Sequence, residues 1–288
     1  MEYVFPLLAV LIWGGNAVVT KASNGVIAPF EIAFYRWLFA SLLLAPFAIR
    51  PLWANWQVLR PFLPRLALLG LLGCTLFPSL MYFAAQYTSA INMGIIQALM
   101  PLFALVFAMI LSGQRFGPGM LLAMAISLVG VLVVVTKGQP SLLLTQSVNR
   151  GDLLMLAATA CFALYSTLLK ETPLSMNANL FVQSAFATIM LLPLFLTADR
   201  HGLDRQNLSL VLYASVLASI GAPLMWMKGI ARIGSSRGSN FFNFIPLVAA
   251  IFAAIFLGEH IGGALIFGGV LIVGGVALAE RQGARSAA

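Results

Sequence analysis

Residues 101–131 read PLFALVFAMILSGQRFGPGMLLAMAISLVGV, and residues 246–276 read PLVAAIFAAIFLGEHIGGALIFGGVLIVGGV. With no gap and an offset of 145, ten of the 31 positions are identical. They include Pro101/Pro246, Gly113/Gly258, Gly117/Gly262 and Gly130/Gly275. Apolar stretches match one another easily, but prolines and glycines in gapless register do not, so the pair reads as an internal repeat. The same offset maps Pro78 onto Pro223. Nearer the start of each half, an offset of 149 maps Trp13 onto Phe162, Asn16 onto Tyr165 and Lys21 onto Lys170.

The repeat is written in membrane composition. Hydrophobic residues make up 61% of the 288 and charged residues 8%, against about 45–50% and about 25% in soluble domains. One core of this size cannot bury that much apolar surface. Apolar runs cut by turn residues and charges predict ten spans, near 3–20, 30–49, 66–86, 91–111, 118–136, 152–169, 178–197, 208–228, 238–257 and 261–279. The remaining connections are too short to hold a soluble catalytic domain. The segment 50–65, with Trp53, Trp56 and three arginines, suits the membrane interface. The start, Met-Glu-Tyr-Val-Phe, lacks the positive region of a cleaved signal, so the first run is expected to be retained.

The chain is therefore expected to be an all-α polytopic membrane protein with two repeats, 1–145 and 146–288. Each holds five spans. Five is odd, so the second repeat enters the membrane from the opposite side and the two are inverted, an architecture common among secondary transporters. With the N-terminus inside, ten lysines and arginines fall on the cytoplasmic side and five on the other, Arg36 within a span being left out. The positive-inside rule then places both termini in the cytoplasm.

Trp13-Gly14-Gly15-Asn16 followed by Lys21, Pro29 with Arg36, and Leu257-Gly258-Glu259 resemble motifs of the drug/metabolite transporter superfamily, specifically the ten-helix EamA-type exporters. The first half departs from the last motif, reading Ser112-Gly113-Gln114-Arg115. The resemblance covers nearly the whole chain. It implies a carrier of the bacterial inner membrane and is closest to amino-acid exporters, with aromatic amino acids among the cargo.

Polar and aromatic side chains at spacings of three, four and seven share one helical face, and in hydrocarbon they must pair or face water. Such stripes hold Trp13, Asn16 and Thr20; Ser79, Tyr82 and Gln86; Met93, Gln97 and Met100; Phe162, Tyr165 and Ser166; and Ser236, Asn240, Asn243 and Phe244. Trp226 follows Pro223 by three. The fifth and tenth spans carry no stripe. The predicted substrate-binding set is Trp13, Asn16, Tyr82, Gln97, Tyr165, Trp226, Asn240, Asn243 and Phe244, lining one central space. Rings stack on a flat guest and amides hold its polar groups. For any single residue, interhelical hydrogen bonding is the alternative.

Pro78, Pro101, Pro223 and Pro246 form two symmetric pairs of in-span prolines, readable as hinges for alternating access or as static kinks. Glu31 and Arg36 are the deepest charges of the second span and form a candidate charge site. Glu31 follows Pro29, so it either caps its helix or meets a substrate ammonium or a proton. No span carries a central carboxylate, which favours facilitated transport or coupling through the cargo's own charge. His201 and His260 lie in loops without a second ligand at metal spacing, and no catalytic motif is present. Neither cofactor nor metal is expected, and nucleic acid is not an expected partner, since the basic residues form no dense run. The expected partners are a small molecule and the lipid bilayer. Cys74 and Cys161 read as packing residues, and Gly268-Gly269 and Gly274-Gly275 as close helix contacts. The alternatives are an exporter of other metabolites or drugs in the same superfamily and, in a different class, a passive channel.

Overall fold

The computed structural model describes residues 3–112, 117–136, 138–139, 149–168, 174–198, 201–233, 241 and 244–286. All regular structure among these residues is helical. The elements are α1 (Val4–Ala22), α2 (Pro29–Ala54), α3 (Trp56–Ala84), α4 (two halves, Ala90–Gln97 and Met100–Ser112), α5 (Pro118–Val135), α6 (Arg150–Leu168) and α7 (Met176–Thr197). They continue with α8 (Arg205–Leu212, Tyr213–Gly221 and Ala222–Ile233 in series), α9 (Ile245–Leu257) and α10 (Gly263–Ser286).

Seven of these helices among the described residues are long and apolar enough to cross a membrane, namely α1 to α4 and α6 to α8. The other three carry shorter apolar stretches, Leu121–Val134, Ile245–Leu257 and Gly263–Gly275. Phe47, Ile110, Leu121, Ile189, Ile255, Phe256, Phe267 and Val270 are exposed. So many large apolar side chains turned outward suit contact with acyl chains rather than water. The protein is an all-α, multi-pass membrane protein.

Local chemistry sets the ends. Pro29 opens α2 and Pro118 opens α5 at positions where no intrahelical N–H is needed. Ser89, Ser175 and Asp204 accept hydrogen bonds from Asn92 N, Ala178 N and Asn207 N at the starts of α4, α7 and α8. Gly258 ends α9 in the left-handed region, at φ 66°. Ser89 thus breaks the chain between the third and fourth spans as the sequence predicts. The segment 50–65 is different. It is mostly helical, because α2 runs through Pro51 to Ala54 and α3 begins at Trp56, leaving Asn55 as the elbow.

Pro78, Pro101, Pro223 and Pro246 each stand second in a helical segment, whereas Pro46 and Pro193 lie inside α2 and α7. Pro101 follows the turn at Ala98-Leu99 that splits α4. Pro246 opens α9. Pro78 and Pro223 follow π-helical stretches, Gly70–Leu76 and Tyr213–Gly221. Proline lacks the N–H that would close an ordinary turn. The wider π turn re-pairs the backbone, with Phe77 N donating to Leu72 O and Ala222 N to Leu217 O. Both donor and acceptor pairs are related by the offset of 145.

Contacts between elements pair up in the same sense. The helix α1 packs on α8 and α9, while α6 packs on α3 and α4; α2 packs on α7, α4 on α9 and α5 on α10. Of the four late glycines, Gly268 and Gly275 lie against the backbone of α5, at Gly130 and Ala123. A β-carbon at Gly269 would meet only Ile95, at 3.9 Å, and one at Gly274 would meet nothing, so close packing accounts for half of that motif.

Candidate functional site

The motif Trp13-Gly14-Gly15-Asn16 is a three-way helix contact. At Gly14 a β-carbon would lie 2.5 Å from a Val248 methyl, so α9 approaches only because that carbon is missing. At Gly15 the hydroxyl of Tyr213 fills the same space and donates to Ile12 O at 2.9 Å. Trp13 turns to the π stretch of α8, where Nε1 donates to Ala218 O at 3.2 Å. Its ring meets that of Trp226 at 5.8 Å between centroids. Asn16 is buried and its Oδ1 accepts no hydrogen bond.

Ser219, the next residue of that π stretch, receives Arg36. The guanidinium Nε donates to Ser219 Oγ at 2.6 Å, and its carbon sits 5.2 Å from the Trp37 ring centroid. Arg36 is 6% exposed, and its Nη1 has no partner. Tyr82 Oη and Ser79 Oγ on α3 are likewise buried without hydrogen bonds. One turn of α8 therefore carries two of its neighbours' functional groups, the Trp13 indole and the Arg36 guanidinium.

The remaining predicted residues do not all join this group. Tyr165 lies against Gly73 of α3 and in a ring series with Phe162 and Phe77, at 5.2 and 4.7 Å. Gln97 is half-buried where α4 breaks. Phe244 is 48% exposed and meets Phe241, which stacks on Tyr3 at the start of α1. Asn240 and Asn243 lie outside the described residues. Thr20 and Ser166 donate to carbonyls four residues earlier, on their own helices, so those hydroxyls need no cargo.

Glu31 and Arg36 part company. Glu31 is fully buried, and its carboxylate accepts from His201 N and Gly202 N at 2.9 Å each, with His201 Nδ1 at 3.6 Å. It is a tie to the loop before α8 rather than an open charge. It belongs to a polar collar on one face of the bundle. There Lys21 Nζ donates to Ala85 O, Thr88 to Asp152, and Asn149 to Tyr87 O. Glu259 accepts from Ala90 N and Ile91 N at 2.8 and 3.0 Å, capping α4 from the loop between α9 and α10. The Leu-Gly-Glu motif is thus a turn that carries a carboxylate to another helix's N-terminus.

Sequence reading missed Ser219, Tyr213 and Trp37. Ser219 had a signal: it stands four residues before Pro223, where the proline disrupts the ordinary helical pairing. Tyr213 and Trp37 had none, because their roles depend on a neighbouring helix. An apolar recess of about 510 Å³, lined by Leu52, Trp53, Trp56, Phe181 and Phe186 among others, opens beside the α2–α3 elbow and includes none of the predicted residues.

The EamA-like transporter family profile matches residues 1–136 and 149–280. The chain belongs to the EamA-like transporter family. This family member is 28% identical over 263 residues to an uncharacterized transporter of Archaeoglobus fulgidus, covering 88% of each chain. It is 25% identical to the uncharacterized inner membrane transporter YicL of Salmonella typhimurium, over 88% of this chain and 86% of the relative. A probable amino-acid metabolite efflux pump of the same organism is 27% identical over 282 residues, 91% of this chain and 89% of its own. A solved crystal structure, described only as that of a protein, aligns with 100% of this EamA-family chain and 99% of its own at a TM-score of 0.59 and 19% identity, which shows the fold. The protein is a membrane transporter.

Proposed function

We propose that this transporter is an inner-membrane carrier that exports small amphipathic metabolites, most specifically amino acids including aromatic ones. It works by alternating access of two inverted five-helix repeats. The observation that carries the cargo reading is the Trp13–Trp226 ring pair, whose Trp13 indole is held by Ala218 next to Ser219, the residue of α8 that receives the buried Arg36. Two indoles supply flat apolar faces, and the polar groups suit a charged or amide-binding guest. The relative described as a probable amino-acid metabolite efflux pump supports the same cargo class. The symmetric π–proline units, the paired helix contacts and the two family matches of similar length support the repeats. The prolines are the hinges of that reading, because Pro78, Pro101 and Pro223 follow irregular turns and Pro246 stands in the first turn of α9.

The decisive experiment is uptake of labelled phenylalanine and alanine into proteoliposomes, with and without a pH gradient. The expected result is saturable, trans-stimulated transport that persists when the gradient is collapsed. Unsaturable flux would make the protein a channel. Trp226→Ala should weaken competition by phenylalanine by up to roughly tenfold, since ring stacking contributes about 0.5–1.5 kcal/mol beyond burial, and weaken alanine less. Equal losses for both would make Trp226 a packing residue. The inverted arrangement has its own check. Reporter fusions at Gly138 and at the C-terminus should report opposite sides of the membrane, and the same side for both would sink it.

A further inference from the structure

We propose that Arg36 is the anchor for a carboxylate on the transported molecule, so that this carrier takes ring-bearing carboxylates and excludes the corresponding amines; this rests on the carrier reading above. Arg36 lies five residues beyond Glu31 on α2, about 7.5 Å deeper along the helix axis. A guanidinium does not shed its proton to escape burial. In a low-dielectric interior such a charge is costly unless an anion and hydrogen bonds meet it. Here one nitrogen is bonded to a neutral serine hydroxyl, one face rests near an indole, and Nη1 is buried with no partner. Among the described residues, no carboxylate forms an ion pair with Arg36. The carboxylate nearest along α2, Glu31, is committed to two backbone amides.

The surroundings specify the rest of the ligand. Ser219, which aims the guanidinium, adjoins Ala218, which holds the Trp13 indole. Consecutive residues lie about 3.8 Å apart, so the cation and the Trp13–Trp226 ring pair are positioned from neighbouring points of one turn. A ligand that bears both a carboxylate and an aromatic ring suits these two groups. Asn16, one turn beyond Trp13 on α1, offers a buried acceptor oxygen without a donor, the chemistry that receives an ammonium. An aromatic amino acid meets all three groups and a simple arylalkanoate meets the rings and the cation, whereas an arylalkylamine meets the rings and Asn16 but leaves Arg36 unneutralised and adds a second cation.

The test uses the full chain in lipid nanodiscs and two probes of equal ring and chain, 3-phenylpropionate and phenethylamine. Binding is read by the ligand-induced shift in melting temperature across a concentration series. Wild type should bind 3-phenylpropionate at least about tenfold more tightly than phenethylamine, the scale set by a charge-assisted bond. Arg36→Gln should remove that preference by weakening 3-phenylpropionate without weakening phenethylamine, and Arg36→Lys should restore part of it. Ser219→Ala, which keeps the charge and frees its aim, should weaken 3-phenylpropionate severalfold. No preference in wild type, or an equal loss for both probes in the variants, overturns the proposal. If Arg36→Gln fails to fold, wild type and Ser219→Ala decide. Binding of 3-phenylpropionate through Arg36 without phenylalanine transport would overturn the carrier reading alone. Transport of phenylalanine without a carboxylate preference would overturn this one alone.

Discussion

Glu31→Ala should lower the stability of the purified transporter by about 2–4 kcal/mol. A hydrogen bond to a charged group contributes about 1.5–3 kcal/mol, and Glu31 makes two, to His201 N and Gly202 N. The upper end is not expected, because His201 is half-exposed and water can replace part of the loss. The consequence reaches beyond the loop. Gly202 stands at φ 78°, and its carbonyl accepts from Asn207 Nδ2 at 2.7 Å, while Asp204 caps the start of α8. Glu31 therefore positions the entrance of the helix that carries Ser219 and Trp226. Glu31→Gln retains one amide acceptor and should lose roughly half as much. It should still equilibrate cargo when the proton gradient is collapsed, since the carboxylate is already spoken for by backbone amides. The check is a thermal melt of each variant beside uptake at zero gradient. A melt of Glu31→Ala that matches wild type would remove the latch. Uptake by Glu31→Gln that ceases only when the gradient is collapsed would make Glu31 a coupling group.

Gly130→Leu should be more damaging still. A β-carbon at position 130 would lie 2.7 Å from Gly268 O, 2.8 Å from Ile272 Cγ1 and 2.9 Å from Ile272 N, so it meets backbone as well as side chain. Backbone cannot swing aside as a flexible side chain can. Overpacking of this kind costs about 1–3 kcal/mol and sometimes more, and the rest of a leucine adds to it. In a bilayer, helices associate through close packing rather than by escape from water, so α5 and α10 have little else to compensate. The adjacent contact is equally tight: Ser127 Oγ donates to Ile272 O at 3.3 Å, and Gly275 rests against Ser127 and Ala123 O. The expected outcome is a loss of about 3 kcal/mol or more, read as a strongly lowered melting temperature or failure to accumulate in the membrane. Gly274→Ala is the matched control. It stands one residue from Gly275 with open space at its β-carbon, and should melt at or slightly above the wild-type temperature. Equal behaviour of the two variants would mean that α5 and α10 do not meet as described.

The chain's own residues determined its membrane class and its helices, because both follow from local physics. A composition of 61% hydrophobic residues has no soluble solution, and runs of apolar residues opened by Pro29, Ser89, Pro118 and Ser175 or closed by Gly258 fold into helices whatever surrounds them. The gapless match between 101–131 and 246–276 was legible because prolines and glycines in register stand out from apolar sequence, and Pro78, Pro101, Pro223 and Pro246 each stand second in a helical segment. The aromatic and polar stripes were legible only as candidates. A stripe says which side chains share a face and not what that face meets. Tertiary structure alone decided that Trp13 meets Trp226 while Tyr165, another aromatic of the predicted set, packs on Gly73. It alone separated Glu31 from Arg36, which stand five residues apart on one helix. The carboxylate is met by loop amides 170 and 171 residues away in sequence, and the guanidinium by a serine 183 residues away. Whether a buried charge is satisfied depends on donors and acceptors from other helices, and no local pattern contains them.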